Sequence, residues 1–458
     1  MDRIDPRADP IRGGSDRPPD GSFPPELRSS PPNRRTMYER SFMEGTRGTQ
    51  AVDWEERIDV KRMRRQRKQK ALERMREAGL GSMLLINDPN VRYVTGLAMT
   101  GGSGADHYTL LVEDGSIVHW DTADHASNQR FNCPWLEDVR YACPGLGNVP
   151  RASGRDSARA FLLETMADTV HEAMREYGVD KEPMGIDVAN PALVETFEDR
   201  NVDVRAEECS RVMEDARKIK TRDEVECLRQ VAAVCEAGFQ RITETARPGK
   251  RENEVWGEAV RELWSHGAFV GGGYLTSGPN TWPKHQANTT DRAIRPGDLV
   301  YADFYNIGYL GYRSCYYRTF SMGEPTRAQQ DAYETAVDNL YDVLDRIEPG
   351  VTTDEIAEGF PDREGEHVDW YGADEYWEMT TNHWAHGLGL QLYEVPLIWR
   401  GISHDHPIEI EEGMTMAVET QEPADRQGVR VEEMVVVRDD GVEVLSQWPV
   451  EEITRIDY

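Results

Sequence analysis

The chain has 458 residues, enough for two or three domains, and its 83 acidic against 53 basic side chains give a net charge of -30, which excludes a general nucleic-acid-binding surface. The acid is spread along the chain rather than gathered in one tail, so the composition predicts a protein kept soluble in high salt, a halophilic source, with an ordinary acidic cytosolic protein as the alternative. No apolar run reaches membrane-spanning length and the N-terminus lacks the apolar centre of a signal peptide, so a cytoplasmic protein without membrane contacts is expected.

Residues 1–52, rich in Pro, Gly, Asp, Arg and Ser as in IDPRADPIRGG and SSPPNRR, cannot bury enough apolar surface to fold alone and predict a disordered or extended arm. The run WEERIDVKRMRRQRKQKALERMREA predicts a helix over 54–78, ended by Gly79. Its single Lys/Arg block has no interleaved aromatics and reads as a solvated face docking on acidic protein rather than on nucleic acid. SMLLIND, NVRYVTGL, HYTLLVED and SIVHWDT follow as predicted strands, then the helix SARAFLLETMADTVHEAMREYG and the strand MGIDVAN, an α/β domain over 53–213. DARKIKTRDEVECLRQ begins a helix that runs on through CEAGFQRITETA and leads into a second domain, 214–458, where short strands alternate with helices. Six cysteines, Cys133, Cys143, Cys209, Cys227, Cys235 and Cys315, lack C-x-x-C spacing and are expected as reduced thiols.

The second domain centres on LVYADFYNIGYLGYRSCYYRTF, Leu299 to Phe320, read as two adjacent strands turned at Gly308 and Gly311. Alternation places Val300, Ala302 and Phe304 on one face and Tyr301, Asp303 and Tyr305 on the other. A carboxylate inside such a run must be paired, liganded or protonated. With His285, Cys315, His386, Glu419 and Glu432, Asp303 makes a set able to hold a divalent cation or to move protons without one. Without a cation, close carboxylates such as Glu419 and Glu432 raise each other's pKa and leave one protonated. Cys315, with chiefly Arg313 as a basic neighbour in sequence, reads first as a small buried residue.

In order and spacing, KIKTRDEVECLRQV, SGPNTWPKHQANTTDRAIRPGDLVYAD, YRTF, IEPGVTTDEI, HGLGLQLYEVP, EEGMTMAVETQ and VEEMVVVRDDGVEVLS resemble the pita-bread superfamily of methionine aminopeptidase, aminopeptidase P, prolidase and creatinase. The resemblance implies an α/β creatinase-like N-terminal domain followed by an α+β pita-bread catalytic domain. The superfamily's metallopeptidases bind metal through Asp, Asp, His, Glu and Glu. Asp303, His386, Glu419 and Glu432 match the first, third, fourth and fifth, and Cys315 stands where the second, bridging Asp belongs. Thiolate is softer than carboxylate and a poor bridge between hard ions, so the resemblance implies one divalent ion (zinc, iron or manganese) or none, and argues against a two-metal site.

Tyr393 stands where Xaa-Pro peptidases carry a second His. Creatinase, the metal-free relative, has its catalytic His at the position of His285 and likewise lacks carboxylates at the positions of Tyr305 and Cys315; Tyr317 and Glu432 depart from it. The dimethylsulfoniopropionate lyase of the superfamily resembles the IDPRADP and SGPNTWP runs and the Asp303 to Cys315 interval, with Tyr305 in place of a third aspartate. Together these imply a homodimeric hydrolase cleaving a C–N bond in a small non-peptide substrate, with His285 as acid/base beside His386, Glu419 and Glu432. Trp282, Tyr305, Tyr317 and Tyr393 would wall the pocket. The alternatives are an Xaa-Pro-type metallopeptidase, a lyase of the dimethylsulfoniopropionate type, and an inactive protein-binding pseudoenzyme.

Overall fold

A computed structural model describes residues 58–97, 107–188, 190–282, 288–361 and 384–458. The expected N-terminal arm and His285 lie outside the described residues. Contacts divide the described chain into two compact units, Arg64–Ala216 and Arg217–Tyr458, with residues 58–63 joining the second.

The first unit is built on a mixed six-stranded sheet in the order β4-β3-β2-β1-β5-β6. Its strands are β1 (Ser82–Leu85), β2 (Tyr108–Val112), β3 (Ile117–Asp121), β4 (Asp138–Tyr141), β5 (Met184–Ile186) and β6 (Val204–Arg205). Strand β1 is buried on both faces, which explains why SMLL reads as a continuous apolar run. Helix Asp156–Glu176 covers the sheet with Met166, Ala167, Val170, Ala173 and Met174, a stripe at helical spacing. One sequence expectation fails here and another holds only in part. NVRYVTGL is part of helix Asp88–Thr95, because Pro89 sets the first helical turn and Gly96 ends it in the left-handed conformation. The basic block of helix Val60–Glu77 is solvated only in part: Lys61 and Arg65 are exposed, but Arg64 lies over Trp135, buried Arg67 donates to the Arg92 carbonyl, and Lys68 and Arg76 donate to the carbonyls of Gly115 and Glu113.

The helix expected to run unbroken from 215 is two helices, Ala206–Lys218 and Arg222–Thr245. Ile219 pairs with Met414, and Thr221 restarts the helix through a capping box with Glu224. In the second unit, β8 (Tyr274–Ser277), β9 (Leu299–Asp303), β12 (Tyr317–Met322) and β18 (Thr454–Ile456) form a sheet in the order β18-β12-β9-β8. A five-stranded sheet orders β14 (Glu394–Ile398), β13 (Trp384–Gly387), β15 (Thr415–Ala424), β16 (Gln427–Arg438) and β17 (Gly441–Val444) in that sequence. Helix Arg327–Leu344 packs Ala336, Leu340 and Val343 into the core that contains Val418, Val429, Val431 and Val435. Between β9 and β12 the chain makes β10 (Ile307–Tyr309) and β11 (Tyr312–Arg313), so the expected two strands are four, and the turn falls at Leu310 and Gly311, both at positive φ, rather than at Gly308. Phe304 packs on Phe239 of helix Arg222–Thr245, where Gly238 lets the ring approach: a Cβ there would lie 2.6 Å from it.

Candidate metal centre

Alternation along β9 turns Tyr301 and Asp303 away from the Phe304 face, as the sequence predicts. Asp303 has Tyr317 of β12 and Tyr274 of β8 as its cross-strand neighbours, and Tyr301 donates to its Oδ2 at 3.1 Å. On the other sheet, Glu419 of β15 stands directly opposite Glu432 of β16 on one side and Trp384 of β13 on the other. Tyr317 joins the two sets by donating to Glu419 Oε2 at 2.6 Å. His386 follows Trp384 by two on β13, at a register shift with β14, and its Nε2 lies 4.0 Å from Glu419 Oε1.

Cys315, from the short link between β11 and β12, completes the cluster. Ligand atoms of Cys315, His386 and Glu432 all lie within 4.8 Å of one another. Like carboxylates facing each other across a sheet are unfavourable unless something lies between them. Both Glu432 oxygens, His386 Nε2 and Asp303 Oδ1 are buried without a hydrogen-bond partner. Each orphan of this kind costs about 1–3 kcal/mol, so four together mark a place built for a ligand.

Burial dominates the protonation of the cluster. It pushes Asp303 up to about 7 against the opposing hydroxyls of Tyr301 and Tyr274, and Glu419 up to about 8, with Asp303 adding repulsion and Tyr317 opposing. Glu432 is raised well above the usual carboxylate range, first by burial and then by Glu419 and Asp303. The neighbouring Cys315 thiol works in the opposite direction, behind these causes. Burial also lowers His386 to about 4, so its imidazole is neutral. Its Nδ1 lies 3.1 Å from the Gly387 carbonyl, which can only accept, so the proton sits on Nδ1 and Nε2 presents its lone pair to the cluster.

The donors fit one borderline cation better than a pair of hard ones: imidazole nitrogen, thiol sulfur and carboxylate suit zinc or iron(II). Tyr393 is 56% exposed, with its ring 4.5 Å from that of His386, and Trp384 lies 5.5 Å from the same imidazole. Of the expected pocket residues, Tyr317 and Tyr393 meet the cluster directly. Tyr305 packs on Tyr274, and Trp282 packs on Gly428, four residues along β16 from Glu432.

The turn that precedes Tyr393 is held from behind. Buried Glu394 accepts from Lys220 at 2.8 Å and from the Gln391 amide at 3.1 Å, with Arg217 at 3.7 Å. Arg318 pairs with Glu433 at 2.6 Å and is structural. Tyr301, Trp384 and Arg430 were not singled out from the sequence, although each lies two residues from a site residue on an alternating strand. That spacing was the available signal. Arg430, with its guanidinium over the Tyr301 ring, adds positive charge that favours ionised Asp303 and Glu419.

A mixed-sheet N-terminal unit, followed by two sheets that meet around a thiol, imidazole and carboxylate cluster, defines the two-domain pita-bread architecture. The chain belongs to that superfamily: residues 226–439 match metallopeptidase family M24, and residues 67–219 match the creatinase/prolidase N-terminal domain. It is 26% identical to the uncharacterized peptidase YqhT of Bacillus subtilis over 82% of this chain and 96% of that protein. It is 25% identical to the Xaa-Pro dipeptidase of Pyrococcus furiosus over 61% of this chain and 77% of the relative. It is also 23% identical to the dimethylsulfoniopropionate lyase DddP of Roseobacter denitrificans over 85% and 87%. The structure of an Xaa-Pro dipeptidase from Bacillus anthracis superposes with a TM-score of 0.65 at 21% identity, covering 86% of this chain and 99% of that one, which shows the fold. Among the described residues, no helix is long and apolar enough to cross a membrane.

Proposed function

We propose that the chain is a hydrolase that cleaves the C–N bond of a short peptide, with Xaa-Pro dipeptides as the first substrates to test. The observation that carries the reading is the grouping of Cys315, His386 and Glu432 within 4.8 Å of one another, with Glu419 opposite Glu432, and with four buried donor atoms of Asp303, His386 and Glu432 lacking a partner. The relatives named as peptidases support a peptide substrate, which reverses the order expected from the sequence, where a small non-peptide molecule came first.

Cys315, His386 and Glu432 would hold one divalent ion, which when bound supplies Lewis-acid polarisation of the scissile carbonyl. Glu419, held by Tyr317 on one oxygen and with the other 4.0 Å from His386 Nε2, takes a proton from the attacking water in its ionised form, which a neighbouring cation would favour, and passes it to the leaving nitrogen. The C–O bond forms as the water gives up that proton, and the C–N bond breaks as the proton reaches nitrogen, releasing an acid and an amine. Tyr393, at the exposed edge beside His386, packs on the substrate.

The departures at Cys315 and Tyr393 favour a second reading, a smaller non-peptide amide or amidine. The test is to load the full chain with zinc, iron(II) or manganese in turn and follow free proline from a panel of Xaa-Pro dipeptides. Release that stops with a chelator and with Glu419→Gln supports the peptidase. Absence of release, with cleavage of small amidines by the same samples, moves the assignment to the second reading.

A further inference from the structure

We propose that Cys315 is a thiolate ligand, and that with His386 and Glu432 it makes a mononuclear, sulfur-containing centre selective for thiophilic divalent ions over hard ones. The inference shares its residues with the hydrolase reading but concerns the ion rather than the reaction. The Cys315 backbone is held on both sides. Ser314 Oγ donates to the Phe304 carbonyl at 2.5 Å and accepts from the Ile307 amide at 3.2 Å, while the amides of Asn306 and Phe304 donate to the carbonyls of Ser314 and Tyr316 at 2.7 and 3.0 Å. The sulfur is therefore presented to the cluster from a fixed loop rather than left there by loose packing.

The imidazole is equally prepared, because the Gly387 carbonyl fixes its tautomer. Glu432 brings two oxygens with no other partner. Around a tetrahedral zinc ion, sulfur, nitrogen and oxygen ligands sit about 3.3–3.6 Å apart. Separations of at most 4.8 Å thus require only a small inward movement of side chains. Asp303 and Glu419 each have one oxygen engaged by a tyrosine hydroxyl, Tyr301 and Tyr317 respectively, which sets them apart from the three-ligand group. If Cys315 were merely a small space-filling residue, the partnerless Glu432 and His386 atoms beside it would have no counterpart. A single cation at their centre satisfies all three residues at once. The thiol proton leaves to solvent as the metal–sulfur bond forms.

The test replaces the ion with cobalt(II), whose bond to thiolate produces a sulfur-to-metal charge-transfer band in the near ultraviolet. Metal-free full-length protein should take up one equivalent and develop the band. Cys315→Ser should lose the band and at least about tenfold in affinity, with an unchanged circular dichroism spectrum. Cys235→Ser, which removes another buried thiol near Asp303 and Glu432, should keep the band. Uptake of two equivalents, one equivalent without the band, no uptake, or a band that survives Cys315→Ser each overturns the assignment. A protein that shows the band and yet cleaves no dipeptide keeps the ligand assignment and refutes the peptidase. Dipeptide turnover without the band does the reverse.

Discussion

The buried carboxylates make the metal-free protein's stability fall as pH rises, and Glu419 offers the means to measure it. Asp303 moves from 3.8 to about 7 and Glu419 from 4.5 to about 8 in the folded state, both chiefly through burial. A carboxylate raised in this way binds a proton in the native state that the unfolded chain has already released. Its stabilisation is complete below the unfolded value and is lost as pH climbs through the folded one, here between about pH 4 and 8. A shift of about three units corresponds to about 4 kcal/mol. The two groups titrate together, so removing one carboxylate should recover about 2–4 kcal/mol rather than the sum. Glu419→Gln keeps an oxygen to accept from Tyr317 and removes the charge opposite Glu432. With chelator present, urea unfolding of the native chain and of Glu419→Gln should agree near pH 5 and diverge by pH 8.5, the variant being the more stable. The general self-repulsion of a chain with net charge -30 cancels in the comparison. Zinc at a hundred times its Kd should restore about 2.7 kcal/mol to the native protein at pH 8.5. Parallel pH profiles for the two proteins would falsify the buried-acid account.

Three further substitutions follow from the geometry. Cys315→Asp restores a carboxylate at the bridging position, and after loading with manganese, which the native centre disfavours, elemental analysis should show more ion per chain in the variant than in the native protein, rising toward two; equal uptake in the two would mean that more than this residue closes the second site. Arg318→Ala leaves Glu433 buried beside an empty cationic position, and chemical denaturation should show a loss of about 3–5 kcal/mol, whereas a loss below 1 kcal/mol would show that the pair is dispensable. Gly238→Ala drives a Cβ to 2.6 Å from the Phe304 ring and should destabilise by about 1–3 kcal/mol in thermal melts, while a neutral result would mean that the helix shifts freely over β9.

Periodicity made the centre of the second unit legible. The alternation from Val300 to Tyr305 separates the Phe304 face from the Asp303 face. What escaped depends on partners remote in sequence. Nothing local to Ile219 announces that Met414 will pair with it and interrupt the helix; NVRYVTGL is a different case, because its Pro89 start and Gly96 stop are local signals that compete with its β-branched content. The cross-strand opposition of Glu419 and Glu432 follows from the length of the β15–β16 hairpin, which alternation alone does not give. The partnerless atoms around His386 are likewise a property of the assembled sheets.

Residues 217–220 follow the last residue of the first unit and by position alone would pass for a spacer. Lys220 and Arg217 nonetheless grip Glu394, the residue after Tyr393, so the rim beside His386 is moored to the connector itself. Replacing those four residues with a flexible tether in a chimaera would therefore remove the Lys220 and Arg217 contacts to Glu394 and set the aromatic edge adrift. An exchange of the first unit in this chain has to carry the connector along with the second unit.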